Sequence, residues 1–463
     1  MTLSKKFDKK LLTKAQLADL NSDAYYLLLS FYQFYIELRE IYRMQFIRFD
    51  SRLYIKLMLP RIKRVYNRLK RVLTVDHIEQ NPYSAQRLLR RGYRFLMQLK
   101  QYESMSYCSD CNDTLATINS YRTSISGVYQ ETVLACSVMG AYHALCFAAF
   151  QQYSDACIYV GKHVNEGVLS YCRSLSNCMS INDKDLRVAT QLLETSGSVF
   201  VVFEVIGEGI SAGAFPLDSF LKRVKQVDRE DPFYLIIGEN NVGELLQPDR
   251  HFSRRQFPHW FHLIVVRDLS GMGQYGMGLR SVVSITSFDK HRRDALSVMA
   301  GLELTGQLFP VNQWGIFLGN DIKRRDYFFF RYHRNGLFFY RQCLAFQAQF
   351  SDVITEVKMP GYETSDYRSL GDVYFRVNVL PSLSMSETLI LIMSDWESKY
   401  ELRLGKFNKK RICSGHYLTS VVIGGKNRQV PYLRISPGME DLAQFELFTD
   451  VLFLTLKNAY NLI

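Results

Sequence analysis

The hydrophobic period of this 463-residue sequence changes at about Thr195, and that change constrains the fold more than any other feature. Downstream lie eleven short runs: SVFVVFEVI, PFYLIIG, WFHLIVV, RSVVSITSF, QWGIFLG, DYFFFRYH, GLFFYRQCLAF, DVYFRVNVL, ETLILIM, HYLTSVVIG and VPYLRI. They are rich in Val, Ile, Phe and Tyr and are separated by Gly, Pro, Asn and Asp, which is how strands and their turns read. With few helices between them, they predict an antiparallel β-sandwich or barrel over residues 196–435.

Upstream, residues 12–195 read as helix. Asn21 and Ser22 can cap a long aromatic helix, Pro60 ends the segment after it, and Asn81 with Pro82 marks the next break. TVLACSVMGAYHALCFAAF (132–150) carries no formal charge. Its length approaches that of a membrane span. Thr132, Ser137, Tyr142 and His143 interrupt its apolar character, while Cys136, Gly140, Ala144 and Ala148 recur at every fourth position. Small residues at that spacing admit another helix at close range, so the stretch reads as a buried bundle helix and not as a membrane span. Ser436 and Pro437 offer an N-cap and a first-turn proline to a last apolar helix, which must dock on something apolar. The fold class expected is therefore α+β. A helical bundle over 1–195, closed by a C-terminal helix over 436–463, would carry an inserted β domain.

Charge is unevenly placed. The formal net charge is +12, and residues 1–100 hold 21 Lys+Arg against 8 Asp+Glu, so the excess is entirely N-terminal. Within it, Arg61, Arg64, Arg68 and Arg71 and then Arg87, Arg90, Arg91 and Arg94 fall at helical spacing beside apolar stripes. Cations one turn apart suit phosphates, anionic headgroups or the acidic residues of a neighbouring subunit. RNA or another acidic partner is expected there. No apolar segment follows the first lysines, so no secretory signal is read, and nine scattered cysteines fit reduced thiols. The expected location is the cytoplasm or the inside of a virus particle.

The motifs point away from catalysis. SGMGQYGMG (270–278) contains G-x-G-x-x-G, but the LRSVVSITSF behind it reads as strand, whereas a dinucleotide fingerprint needs a helix there. The kinase arrangement would use Lys290, yet its catalytic strings are absent downstream. GISAG (209–213) offers Ser211 as a nucleophile with His259, His262 or His416 as base, but the helix that such an elbow requires begins only near Asp218. Zinc would need Cys108 and Cys111 to meet His143 and Cys146, and the latter pair lies in the apolar helix. His259 and His262 fall on opposite faces of a strand. No catalytic set, cofactor or metal site is assigned.

The resulting expectation is a non-enzymatic, self-associating assembly protein. Its element order is similar to that of shell proteins of double-stranded RNA viruses, whose helical base carries an outward β-sandwich. The resemblance implies homo-oligomers, often trimers. The alternatives are a nucleic-acid-binding protein that uses the basic helices, and a hydrolase or nucleotide-binding enzyme that uses the glycine loops at 207–213 and 271–278.

Overall fold

The computed structural model describes residues 125, 127–182, 185–239, 252, 258–268, 283–289, 292–306, 325–362, 371–404, 419–425, 431–438 and 442–462. The eight arginines from Arg61 to Arg94, Cys108, Cys111, Lys290, His416 and the loop at 271–278 lie outside them.

A seven-stranded sheet forms the larger layer. Its strands are β1 (Tyr129–Ala135), β2 (Cys157–Gly161), β3 (Cys178–Ile181), β4 (Val199–Glu204), β5 (Phe233–Gly238), β6 (Phe261–Asp268) and β7 (Val283–Asp289), in the spatial order β1-β7-β6-β5-β4-β2-β3. β3, β2, β4, β5 and β6 are parallel, while β7 runs antiparallel to both β6 and β1. The connecting helices are α1 (Val138–Gln152), α2 (Glu166–Arg173), α3 (Leu186–Gln191), α4 (Leu217–Val224) and α5 (Arg293–Leu304). β4 and β5 are buried along their whole length, because alternate residues enter two different cores. Val199, Val201 and Phe203 pack with Leu217 and Phe220 of α4, whereas Phe200 and Val202 pack with Tyr142 and Leu145 of α1. Strands covered on both faces read as continuous apolar runs, as parallel sheets do.

The smaller layer holds β8 (Ile354–Lys358), β9 (Val373–Val377), β10 (Ser420–Gly424) and β11 (Tyr432–Ser436), antiparallel in the order β10-β11-β9-β8. One face is covered by α6 (Arg325–Gln349), α7 (Met385–Leu404) and α8 (Leu442–Ala459), which share a core with Phe375, Leu433 and Ile435. Trp396 is fully buried there and donates its indole N–H to the Phe448 carbonyl, 3.1 Å away.

The expectation of a helical bundle with a β-sandwich is thus corrected. Three strands lie where helix was expected, at β1, β2 and β3. The apolar 132–150 stretch is no single helix. It ends β1, turns at Ser137, whose hydroxyl accepts from the Gly140 N–H, and then forms α1. Conversely, DYFFFRYH and GLFFYRQCLAF form one 25-residue helix, and ETLILIM lies inside α7. In α6 the buried Phe329, Tyr332, Phe339, Cys343 and Phe346 fall three, four or seven apart, a helical period that the aromatic composition disguised. No helix among the described residues is long and apolar enough to cross a membrane.

Candidate functional site

In an open sheet with parallel strands, ligands bind outside the carboxyl ends, where the strand order reverses. Here β2 leads outward to β3 and the chain then returns to place β4 on the other side of β2, so the crevice opens between the β2 and β4 loops. Two loops meet there. The Glu208 N–H donates to the His163 carbonyl at 2.6 Å, and His163 Nε2 lies 3.2 Å from Ser211 Oγ. Asn165 caps α2 by accepting from the Gly167 N–H and donates its amide to Glu208 Oε1 at 3.2 Å.

The smaller layer closes over this crevice. Tyr374 and Tyr432, on the face of its sheet opposite the helices, cluster with Ile210 of the β4 loop. Between them Arg434 reaches Glu208 Oε1 at 3.2 Å through Nη1 and donates from Nε to Asp372 Oδ2 at 2.9 Å. All three charged groups are buried. Burial alone would lower the Arg434 pKa, but the carboxylates around it outweigh that and hold it well above the usual arginine range. The Gly425 N–H donates to Glu166 at 2.9 Å, a second tie between the two layers.

Deeper in, Glu204 ends β4 on the α1 side of the sheet. Its carboxylate lies over Gly238 of β5, where any Cβ would collide with it. That glycine is the space the carboxylate occupies. Tyr142 of α1 is fully buried nearby, and its hydroxyl has no hydrogen-bond partner among the described residues. Its pKa is pushed well up by burial and by the charge of Glu204. On the opposite face Arg267 pairs with Glu239 at 3.4 Å, and both are buried.

At the far, amino-terminal end of β6, His262 Nδ1 lies 3.4 Å from Asp289 Oδ1 and 3.2 Å from Asp294 Oδ2. Burial would lower the His262 pKa, but the two carboxylates overcome it and raise it to about 9. The three ligating atoms lie within 4.8 Å of one another. Spacing along the sequence relates His262 only to His259. In the structure His262 instead joins two acids brought in by β7 and α5.

The bases expected for Ser211 were His259, His262 or His416, and the histidine beside it is His163. The 207–213 loop closes on itself, with the Gly207 N–H on the Gly213 carbonyl at 3.0 Å. No sequence motif marks Glu204, Glu208, Glu239, Asp372 or Arg434. Their signal is nevertheless present, since each sits inside or beside an apolar strand run, where a charge is rarely buried without a partner.

No family model and no curated protein matches this sequence. Solved structures do. A cystathionine gamma synthase from Xanthomonas oryzae pv. oryzae in complex with cystathionine matches with TM-score 0.51 and 11% identity over 71% of this chain and 82% of that one. The cystathionine gamma-lyase of yeast matches with TM-score 0.51 and 15% identity over 80% and 86%. A lysine-to-alanine variant of serine palmitoyltransferase from S. paucimobilis with bound PLP–myriocin aldimine matches with TM-score 0.50 and 11% identity over 77% and 78%. These neighbours overturn the shell-like assembly reading, together with its nucleic-acid and glycine-loop alternatives and the assignment as a non-enzyme. The shell-like reading rested on an element order that the chain does not have, while the arginines from Arg61 to Arg94 and the 271–278 loop on which the alternatives drew lie outside the described residues.

Pyridoxal phosphate (PLP) enzymes hold the cofactor as an imine of a lysine amine, with an acidic or arginine partner at the ring nitrogen. Among the described residues the Glu204 carboxylate fits the second requirement, and no buried lysine supplies the first. The segments leaving the carboxyl ends of β1 (136–137), β4 (205–216), β5 (239–260) and β6 (269–282) contain no lysine. Residues 226–289 as a whole contain six arginines and no lysine. Lys162 follows β2, but it is exposed, and its backbone N–H bonds to Ile181 on the β3 side. The covalent mode does not fit the described residues, and Lys290, which follows β7, lies outside them. The chain has the fold of the fold-type I PLP-dependent enzymes, with a crevice built of carboxylates and arginines.

Proposed function

We propose that this chain is an enzyme acting on a small amine-bearing molecule, an amino acid or a compound of that shape, in the crevice outside the carboxyl ends of β2, β4 and β5. The observation that carries the reading is the charge set of the crevice. Among the described residues of the crevice, three buried acids, Glu204, Glu208 and Asp372, stand with one buried arginine, Arg434. A formal excess of two negative charges in a site shielded from water favours a cationic nitrogen over a second anion. The neighbours support the same class, because cystathionine, named with one of them, is an amino acid.

The roles follow from placement. Glu204 receives the ligand's ammonium or a protonated ring nitrogen, and the Tyr142 hydroxyl is placed to hydrogen-bond within the same buried volume. Arg434 meets a ligand carboxylate only by exchange with Glu208, which lies on a loop, while its paired contact to Asp372 keeps the guanidinium oriented. His163 with Ser211 stands at the lip of the crevice, where an imidazole can carry protons between solvent and the interior.

Calorimetric titration with matched pairs, each an amino acid and its deaminated acid, tests the reading. The amine-bearing member of each pair should bind and the deaminated acid should not, and Glu204→Gln should remove the difference. Equal binding of deaminated acids would refute it.

A further inference from the structure

We infer that His262, Asp289 and Asp294 form a site for one divalent transition-metal ion of the zinc class, set at the amino end of β6 and apart from the crevice. Three elements bring the residues together. His262 lies in β6, Asp289 ends β7, and Asp294 sits in the first turn of α5. The Asp294 N–H donates to Asp289 Oδ2 at 3.2 Å, and Asp289 Oδ1 is the oxygen that faces His262. The imidazole is held flat against the Tyr234 ring, with centroids 4.4 Å apart and planes 14° from parallel. Carboxylate and imidazole are thus oriented by their own outer contacts, as the ligands of metal sites are.

Two observations point to an ion. The first is what the buried atoms lack. All three residues are more than nine-tenths buried, yet His262 Nδ1 and both carboxylate oxygens of Asp294 have no hydrogen-bond partner among the described residues. Nδ1 is 3.2 Å from Asp294 Oδ2 and 3.4 Å from Asp289 Oδ1, close enough for hydrogen bonds but not aligned for them. The second is the spacing. Zinc bonds to nitrogen and oxygen are about 2.0–2.2 Å long, so neighbouring ligands of a tetrahedral shell stand about 3.3–3.5 Å apart. The two distances from Nδ1 match that edge, and all three ligating atoms lie within 4.8 Å of one another. Magnesium and calcium take six or more oxygens, whereas an imidazole with two carboxylates suits zinc and its neighbours. A protonated imidazole, the state of the metal-free chain, offsets one of the two buried carboxylate charges, and a divalent ion on the neutral imidazole offsets both. Six residues of strand, about 20 Å, separate His262 from Asp268 at the crevice end of β6, so the ion ties β6, β7 and α5 together and takes no part in the chemistry of the crevice.

The test uses the full chain and zinc itself. After dialysis against a chelator, calorimetric titration with zinc should show a tight site for one ion per chain. Asp294→Asn should weaken it by roughly a hundredfold or more, since losing an outer contact alone costs about 10–100-fold, while the circular dichroism stays that of the wild type. X-ray absorption of the wild-type chain loaded with one equivalent of zinc should place nitrogen and oxygen about 2.0–2.2 Å from the metal and no sulfur at about 2.3 Å. That measurement separates this site from thiolates, which the nine cysteines could supply. Sulfur in the shell, unchanged affinity in Asp294→Asn, or no zinc retained by the wild-type chain would overturn the inference. Should Asp294→Asn fail to fold, His262→Gln replaces it in the titration, and the absorption spectrum of the wild type decides by itself if both variants fail.

Discussion

Replacing Arg434 by methionine should destabilise the junction between the two layers more than any other single change at the crevice. Methionine keeps most of the side-chain volume and removes the charge. What remains is Asp372 and Glu208, both buried, facing each other without the cation that now sits 2.9 Å from one and 3.2 Å from the other. Removing one partner from a buried ionic set costs about 3–5 kcal/mol, because the remaining charges stay desolvated and unpaired. At the roughly 2–4 °C per kcal/mol expected of a cooperative unit of about 150 residues, the smaller layer should melt roughly 10 °C lower. Differential scanning calorimetry of Arg434→Met gives the loss. Adding Asp372→Asn and Glu208→Gln should restore most of it, since a triad neutralised together leaves no orphaned charge. A double-mutant cycle should also couple Arg434 more strongly to Asp372, which takes two of its N–H groups, than to Glu208. A loss below about 1 kcal/mol in the single variant, or no recovery in the triple variant, would refute this account of the junction.

Stability should fall between about pH 6.5 and pH 9 through His262: its folded pKa is raised to about 9, so the stabilisation is full below the unfolded value of 6.5 and is lost as pH rises through 9. Its size is bounded at about 3 kcal/mol, and denaturation of His262→Gln across that range should show the slope removed. Gly301→Leu should cost about 1–3 kcal/mol or more in urea denaturation, because its Cβ would meet the Ala144 carbonyl of α1 at 2.9 Å. Gly238→Ala should move the Glu204 carboxylate off β5 and weaken amine ligands at least tenfold in calorimetric titration, with a smaller effect on melting. An unchanged affinity would show that Glu204 does not receive the ligand.

Much of the candidate site was legible as residues and almost none of it as a site. Glu204 and Arg434 stand out once SVFVVFE and PYLRI are read as buried strands, because neither charge can lie inside such a run alone. That Glu204 lies over Gly238, that Arg434 sits between Asp372 and Glu208, and that Ser211 meets His163 are matters of strand order. They join residues 34, 62, 226 and 48 positions apart.

The sequence by itself located seven of the eleven described strands, β4 to β7 and β9 to β11, because runs of Val, Ile, Phe and Tyr between turn residues favour extended backbone. The tertiary structure decided the pairing, because parallel and antiparallel strands carry the same local propensities and differ only in which neighbours complete their hydrogen bonds. It also decided helix against strand in 325–349 and 385–404, where packing against one face of a four-stranded sheet rewards a helical period that β-favouring side chains conceal.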